Sequence, residues 1–133
     1  NVCPSIIAGL PGLRIENVRL ENIEIVYPGH ADPEYAYAGT SNEELAAIEE
    51  QETRYPEFSN WKELPAWGFY IRHADGIVFD NVKITVDGED YRPALVTDDV
   101  NGLRMKNLQI NQETAPKGKK QIITKDTKNI RKK

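Results

Sequence analysis

The chain has 133 residues, of which 39% are hydrophobic and 29% charged, and its formal net charge is −4. This composition is typical of a folded globular protein and excludes a largely disordered chain, and no apolar run approaches the roughly 18–20 residues that a membrane-spanning helix needs. Cys3 is the single cysteine, so the fold must be stabilised by packing and backbone hydrogen bonds rather than by an internal disulfide.

One nine-residue phrase recurs along the chain, with the pattern Gly, apolar, any, apolar, any, Asn, apolar, any, apolar. The copies are Gly12–Leu20, Gly76–Ile84 and Gly102–Ile110, and a worn fourth copy begins at Asn129. The second and third copies lie 26 residues apart, whereas the first and second lie 64 apart. The longer gap equals one period plus an insertion. Alternation with period two indicates strands, and recurrence at a fixed period predicts a stacked array.

The Asn of each copy is expected to mark a corner, because Asn tolerates left-handed backbone angles and its amide can bond a neighbouring Asn. Units of about 26 residues that pair with one another around one apolar core predict an all-β solenoid of about four coils. The alternative is an antiparallel sandwich of short hairpins. Against it, Asn-Gly or Asp-Gly dipeptides such as Asp75-Gly76 and Asp87-Gly88, the kind that closes a tight hairpin, do not link each pair of strands.

Residues 28–65 lack the repeat and are expected to form an insertion loop with a short helix. Ser41 and Glu44 form the pattern of a capping box, and the Ala, Leu and Glu content favours a helix of two to three turns that ends before Pro56. Such a long excursion either shapes a binding site or covers the hydrophobic surface of the strands. Trp61 and Trp67 flank its end and are expected to anchor it to the core, with a sugar-stacking platform as the alternative.

The remaining polar motifs imply no metal and no cofactor. His30 has no Cys or second His at ligand spacing, and the acidic turn Asp87–Asp90 lacks the spacing of a calcium loop. Arg92 is expected to pair with Asp90 at the surface, as a structural contact.

The C-terminal tail, about residues 117–133, carries eight Lys or Arg against one Asp, a net charge of +7, whereas the rest of the chain is −11. No aromatic residue lies among these lysines, so nucleic-acid binding is not predicted. Lysines also protect an open sheet edge from unspecific pairing. Because the chain starts abruptly at Asn1 in a strand-like run, we expect a fragment whose exposed coil ends favour self-association.

Several segments resemble the C-terminal region of bacterial polygalacturonase-like enzymes of glycoside hydrolase family 28, in the pectin lyase-like superfamily. They are Pro4–Gly12, Ile15–Ile25, Tyr55–Glu57, Leu64–His73 and Arg92–Val100. The resemblance extends to about Ile110. It implies a right-handed parallel β-helix, formed by residues 1–133 as a single unit, from a secreted or periplasmic bacterial protein. It also implies hydrolysis of polygalacturonan or rhamnogalacturonan with inversion, by three clustered aspartates with a His and an Arg-Lys pair.

The family's catalytic motifs are not found in this sequence, which has no Asn-Thr-Asp, Gly-His-Gly or Arg-Ile-Lys. Asp98-Asp99 lacks the preceding Gly, and neighbouring residues on a strand point to opposite faces, whereas inversion needs two carboxyls about 6.5–9.5 Å apart across one bond. No catalytic residue is therefore assigned, and the chain alone is expected to be inactive. The alternatives are a non-catalytic β-helix module for carbohydrate binding or structure, and a related lyase or epimerase.

Substrate contacts are expected at Tyr70, Arg72 and His73, by analogy with the position of the family's Arg-Ile-Lys strand. Phe69 and Ile71 would face the core, so Tyr70 and Arg72 would face the cleft, where Tyr70 stacks on a sugar and Arg72 pairs with a uronate. In the alternative, these three side chains hold the insertion loop in place through hydrogen bonds.

Overall fold

The computed structural model describes residues 4–29, 41–48, 64–88, 90–112 and 120–132. Strands make up most of these residues, which confirms the predicted all-β class. The elements in chain order are β1 (Ser5–Ala8), β2 (Ile15–Tyr27), α1 (Asn42–Ala46), β3 (Phe69–Val86), β4 (Leu95–Asn111) and β5 (Ile122–Arg131). No helix among the described residues is long and apolar enough to cross a membrane.

The five strands form one sheet in which every strand pairing is parallel. The order is β1-β3-β4-β5, and β2 also pairs with β3, so that β1 and β2 together lie along one side of β3. Residues paired across successive strands form columns, such as Ile15, Ala74, Val100 and Thr127. All of these pairings are parallel, which excludes the hairpin sandwich for the described strands.

Three further columns hold residues with left-handed backbone angles, and the strands bend there, with paired residues on both sides of each bend. Left-handed angles are tolerated best by Gly, Asn and Asp, and these residue types dominate the three columns. The first column contains His73, Asp99 and Asp126, the second Asn17, Gly76, Gly102 and Asn129, and the third Asn22, Asn81 and Asn107, all with φ between 47° and 88°.

The third column is a ladder of amide hydrogen bonds. Asn107 Nδ2 donates to Asn81 Oδ1 and Asn81 Nδ2 donates to Asn22 Oδ1, both at 2.8 Å. The prediction of stacked Asn corners is confirmed for Asn81 and Asn107. The predicted alignment of the first copy, Gly12–Leu20, is wrong by five residues. Asn17 was aligned with Asn81, but Asn17 occupies the column of Gly76, and Asn22 occupies the column of Asn81. Asn17, with φ 58°, performs the left-handed turn that the later copies assign to Gly.

Alternate residues on both sides of the Asn column converge on one hydrophobic core. Phe69 and Phe79 meet edge to face, with ring centroids 5.1 Å apart. Trp67 is completely buried beside Tyr27, and its Nε1 donates to Gln112 Oε1 at 3.3 Å. The expected anchoring role is confirmed for Trp67, whereas Trp61 and His30 lie outside the described residues.

A second apolar cluster lies on the opposite face of the sheet, where the inserted segment covers it. Its buried members are Leu45, Ile48, Leu64, Ala66, Tyr70 and Val96, with Ile6 and Ile123 packed against them. The predicted N-terminus of the helix is confirmed, since Ser41 Oγ accepts from the Glu44 amide at 3.1 Å. The predicted length is wrong. α1 ends at Ala46. The Ile48 amide then bonds only three residues back, to the Leu45 carbonyl, and the Ile48 side chain packs in the cluster.

Arg92 and Asp90 form the expected pair, but at a buried place rather than at the surface. Arg92 Nε and Nη2 each donate to one carboxylate oxygen of Asp90 at 2.8 Å, and both side chains are at most 1% exposed. Arg92 Nη1 also donates to the carbonyl of Leu64 at 3.3 Å. The guanidinium thereby ties the turn before β4 to the end of the insertion.

Candidate functional site

Tyr70, Arg72 and His73 lie together at the start of β3, and all three are buried. Phe69 and Ile71 point into the core, as expected, and Tyr70 lies on the other face of the sheet. That face is not open, because Tyr70 is completely buried under α1 and the residues that precede β3. A sugar ring could reach Tyr70 only if this cover moved, and substrate binding by the three residues stays a prediction.

Arg72 belongs to a column of charged side chains beneath the inserted segment. Its Nη1 donates to the carbonyl of Ile48 at 2.7 Å, and its Nε lies 3.3 Å from Asp98 Oδ2. Lys125 Nζ donates to Asp98 Oδ1 at 3.2 Å from the other side. Arg72, Asp98 and Lys125 occupy one column. The contacts of Arg72 are those of a residue that holds the inserted segment.

His73 itself lies at the first bend of the strands. Its Nδ1 lies 2.7 Å from Asp99 Oδ2, and Arg14 approaches the same carboxylate through Nη1 at 2.5 Å. Arg14 Nε also donates to both oxygens of Asp75, at 2.9 and 3.0 Å. We call Arg14, His73, Asp75 and Asp99 the corner cluster.

Backbone carbonyls complete the surroundings of Arg14 in the corner cluster. Its Nη2 donates to the carbonyls of Ala74 and Asp99, both at 3.0 Å. Arg14 therefore bridges β3 and β4 from its place just before β2, and its planar guanidinium fixes the directions of both carboxylates.

The charges of the corner cluster hold Asp99 as a carboxylate. Burial by itself raises the pKa of Asp99, but hydrogen bonds from His73 and Arg14 outweigh it and place that pKa below its ordinary value. The hydrogen bonds to Asp75 and Asp99 raise the pKa of Arg14. Asp99 is therefore an acceptor at neutral pH and has no proton to donate as a general acid.

Beside the corner cluster lies an open pocket of about 240 Å³. We call it the corner pocket, and its lining residues are Arg14, Asp75, Asp99, Val100, Asn101, Asp126 and Lys128. Asp126 also accepts from Lys125 Nζ at 2.8 Å, and Asn101 Oδ1 accepts from Asn129 Nδ2 at 2.7 Å. The lining thus offers carboxylates, an amide and an ammonium group on a polar, accessible surface.

No family model, curated protein or solved structure matches this chain.

Sequence reasoning missed the corner pocket, although the repeat carried its signal. His73, Asp99 and Asp126 each stand three residues before the Gly or Asn of the second bend, and Arg14 stands three residues before Asn17. The residue directly before that Gly or Asn is polar in every copy, and these residues are Glu16, Asp75, Asn101 and Lys128. Extending the repeat backwards would have placed these side chains in neighbouring columns.

Asp98 and Asp99 turn to different surroundings, as the alternation of side chains along a strand predicts. Asp98 is 2% exposed and lies between Arg72 and Lys125, whereas Asp99 belongs to the corner cluster. The two carboxylates do not line one shared site. Within the described residues, no three His, Cys, Asp or Glu side chains are grouped to hold a metal ion. The carboxylate, amide and ammonium groups that line the corner pocket are suited to hydrogen bonding with a polar ligand.

Proposed function

We propose that this chain is the C-terminal part of a right-handed parallel β-helix from a family 28-like glycoside hydrolase that acts on pectic polysaccharide. The proposed coil is one passage through the three bending columns. The parallel register, the bends at the same columns and the apolar core to which all five strands contribute support this architecture, because each coil of a β-helix stacks on its neighbours in this way. The sequence resemblance adds the enzyme family.

The role proposed for this part of the hydrolase is to bind the polysaccharide, with the catalytic acid and base supplied by residues outside it. An inverting hydrolase needs one protonated carboxyl and one free carboxylate on opposite sides of the bond. Asp99 has a lowered pKa and two cationic or hydrogen-bonding partners, and Asp98 is enclosed by Arg72 and Lys125. Both are better suited to structural pairing than to proton transfer.

The observation that carries the binding proposal is the corner pocket. Carboxylates and amide groups accept and donate hydrogen bonds in the directions that sugar hydroxyls require. The lining has three Asp against Arg14 and Lys128, so its net charge is slightly negative. Such a pocket favours the neutral hydroxyl groups of a sugar over its uronate carboxylate. We therefore propose that it binds rhamnogalacturonan fragments more tightly than polygalacturonan fragments.

Isothermal titration calorimetry with oligosaccharides of each polymer tests this proposal. We expect Asp126→Asn and Asn101→Ala to weaken binding by about two- to tenfold, the effect of one lost hydrogen bond. Asn is chosen at Asp126 because φ there is 47°. Lys106→Ala, an exposed change elsewhere on β4, is the control and should bind like the unmodified chain. Absence of binding to both oligosaccharides would contradict a carbohydrate role.

A non-catalytic structural module is the second candidate, and the pairing of Asp75, Asp98 and Asp99 with cations favours it. A structural module would show the same fold and stability as the binding module. It would give no heat with either oligosaccharide, so the same titration separates the two.

A further inference from the structure

Two exposed arginines lie directly opposite each other on β4 and β5. Arg104 and Arg131 are paired residues in the parallel register of these strands, and both are exposed. Leu103 and Met105, the neighbours of Arg104, are buried in the core. Arg104 therefore points away from the core, because side chains alternate along a strand. Arg131 shares this outer face through its register, and we call the two residues the arginine pair.

The arginine pair places like charges in directly opposed positions. Neighbouring strands lie about 4.8 Å apart, and like charges directly opposite each other on two strands are destabilising. A face that served only the fold would be more stable with a neutral or acidic side chain at one of the two positions. An anion bound between the two guanidinium groups converts their repulsion into attraction.

A third arginine in the same column shows how the fold balances such a charge. Arg19 lies two strands away from Arg104 in this column, and it forms a salt bridge with Glu21, two residues further along β2. The residue two positions after Arg104 is Lys106. The sequence of β4 therefore does not repeat the acidic residue that balances Arg19.

The arginine pair borders the corner pocket along the same two strands. Asn101 and Lys128 line that pocket. Arg104 follows Asn101 by three residues, and Arg131 follows Lys128 by three residues. Three residues of a strand span about 10 Å, and the second bend lies within them. A ligand in the corner pocket that continues past this bend therefore meets the arginine pair.

We propose that the arginine pair binds the carboxylate of a uronate next to the sugar held in the corner pocket. This inference rests on the proposed binding function and names its substrate class, a polysaccharide in which neutral and acidic sugars alternate, as in rhamnogalacturonan. The neutral sugar meets the carboxylate and amide groups of the corner pocket. The planar guanidinium groups of Arg104 and Arg131 match the two oxygens of the uronate carboxylate.

The arginine pair lies on an outer face of the sheet, so its access does not depend on an open sheet edge. A further coil of a β-helix adds a strand beside an edge strand, and it extends this face without covering it. The proposed uronate site is therefore compatible with the longer β-helix proposed above.

Isothermal titration calorimetry with two matched ligands tests the proposal. One ligand is a rhamnogalacturonan oligosaccharide, and the other is the same oligosaccharide with its uronates reduced to neutral hexoses. We expect the acidic ligand to bind about fivefold more tightly, the effect of one exposed ion pair. This preference should shrink in high salt, which screens exposed charges. The combined variant Arg104→Gln and Arg131→Gln should lose the preference and keep its affinity for the neutral ligand.

Lys106→Gln is the matched control for Arg104→Gln, because each variant removes one exposed positive charge from β4. Lys106 lies opposite Asp80, and its variant should keep the full preference for the acidic ligand, whereas Arg104→Gln should reduce it. Asn101→Ala changes the corner pocket and should weaken both ligands alike. Urea unfolding should show that the combined variant is at least as stable as the unmodified chain, because the opposed like charges are gone.

The possible outcomes separate this inference from the proposed function. Equal binding of the two ligands by the unmodified chain would overturn the inference and leave the corner pocket as a carbohydrate site. A preference that survives in the combined variant, or that Lys106→Gln reduces as much as Arg104→Gln, would also overturn it, because the uronate would then bind elsewhere or through net charge alone. Absence of binding to both ligands would overturn the proposed function, and this inference with it.

Discussion

The guanidinium of Arg72 joins β3 to the inserted segment by donating a hydrogen bond of 2.7 Å to the carbonyl of Ile48. The same guanidinium lies 3.3 Å from Asp98 on β4. Arg72 thus supports three parts of the chain at once, the insertion and two neighbouring strands. The segment it holds also covers Tyr70.

Arg72→Met should lower the free energy of unfolding by about 3 kcal/mol, because it leaves a buried carboxylate with one cation fewer. The side chains of Arg72 and Asp98 are only 9% and 3% exposed, so solvent does not compensate for the loss. Urea unfolding measures the change. Lys106→Met, an exposed substitution on β4, is the control and should stay within about 0.5 kcal/mol. Equal effects of the two variants would contradict a stabilising role for the contacts of Arg72.

Two substitutions at Asn81 separate the backbone and side-chain contributions of the Asn ladder to stability. Asn81→Gly keeps the left-handed backbone but loses both amide hydrogen bonds, so the unfolding free energy should fall by about 1–2 kcal/mol. Asn81→Ala also strains the backbone at φ 58°, so its unfolding free energy should be lower by about a further 1–2 kcal/mol. Chemical denaturation of both variants gives the comparison. An alanine variant as stable as the glycine variant would contradict a strained corner.

Asp99 should make the fold sensitive to acid. Its pKa is lower in the folded chain than its ordinary value, so the unfolded chain binds the proton more readily. The stabilisation is present above about pH 4 and disappears as the pH falls through the lowered pKa. It is reduced by solvent, since the side chain is 42% exposed.

Denaturant unfolding from neutral pH to about pH 2 compares the unmodified chain with Asp99→Asn. We expect the variant to be less stable at neutral pH and the two stability curves to converge in acid. A difference that does not change with pH would show that Asp99 contributes through its shape rather than its charge.

Tyr27 should produce a loss of stability at high pH. Burial raises the pKa of its hydroxyl, and the hydrogen bond with Ser5 Oγ at 2.7 Å only partly opposes this. The unfolded chain therefore releases the proton first, and stability falls once the pH rises above about 10. Tyr27→Phe removes this hydrogen bond and should lower the free energy of unfolding at neutral pH by about 1 kcal/mol.

The difference between Tyr27→Phe and the unmodified chain should shrink above about pH 10. The pKa of Lys125 is also raised, mainly by its hydrogen bond to Asp126. Lys125 therefore contributes to the loss of stability in the same direction, but it is present in both chains. Thermal unfolding followed by circular dichroism at several alkaline pH values is the measurement. Curves that stay parallel would contradict a buried, neutral Tyr27.

The local features of this fold were predictable from the sequence. The alternation on both sides of Asn81 and Asn107 fixes which residues face the core, because side chains along a strand alternate with period two. Ser41 predicted the start of α1 for a similarly local reason, since its Oγ accepts a hydrogen bond from an amide three residues away. Asn17 was misassigned because it takes a left-handed position that Gly fills in the other copies.

The arrangement of distant segments was not predictable. Tyr70 was expected at an open surface, and its burial depends on where α1 lies against β3. The corner cluster joins Arg14 to Asp99 across 85 positions of the chain. Neither contact follows from local propensity, although the spacing of the repeat determines which residues share a column.

The most direct test of the proposed function is the release of reducing ends from polygalacturonate and rhamnogalacturonan by the purified chain. We predict no release, because the carboxylates of Asp98 and Asp99 are held by cations and the proposed acid and base lie outside this chain. Turnover that disappears in Asp98→Ala or Asp99→Ala would contradict this account and make the chain an enzyme in its own right.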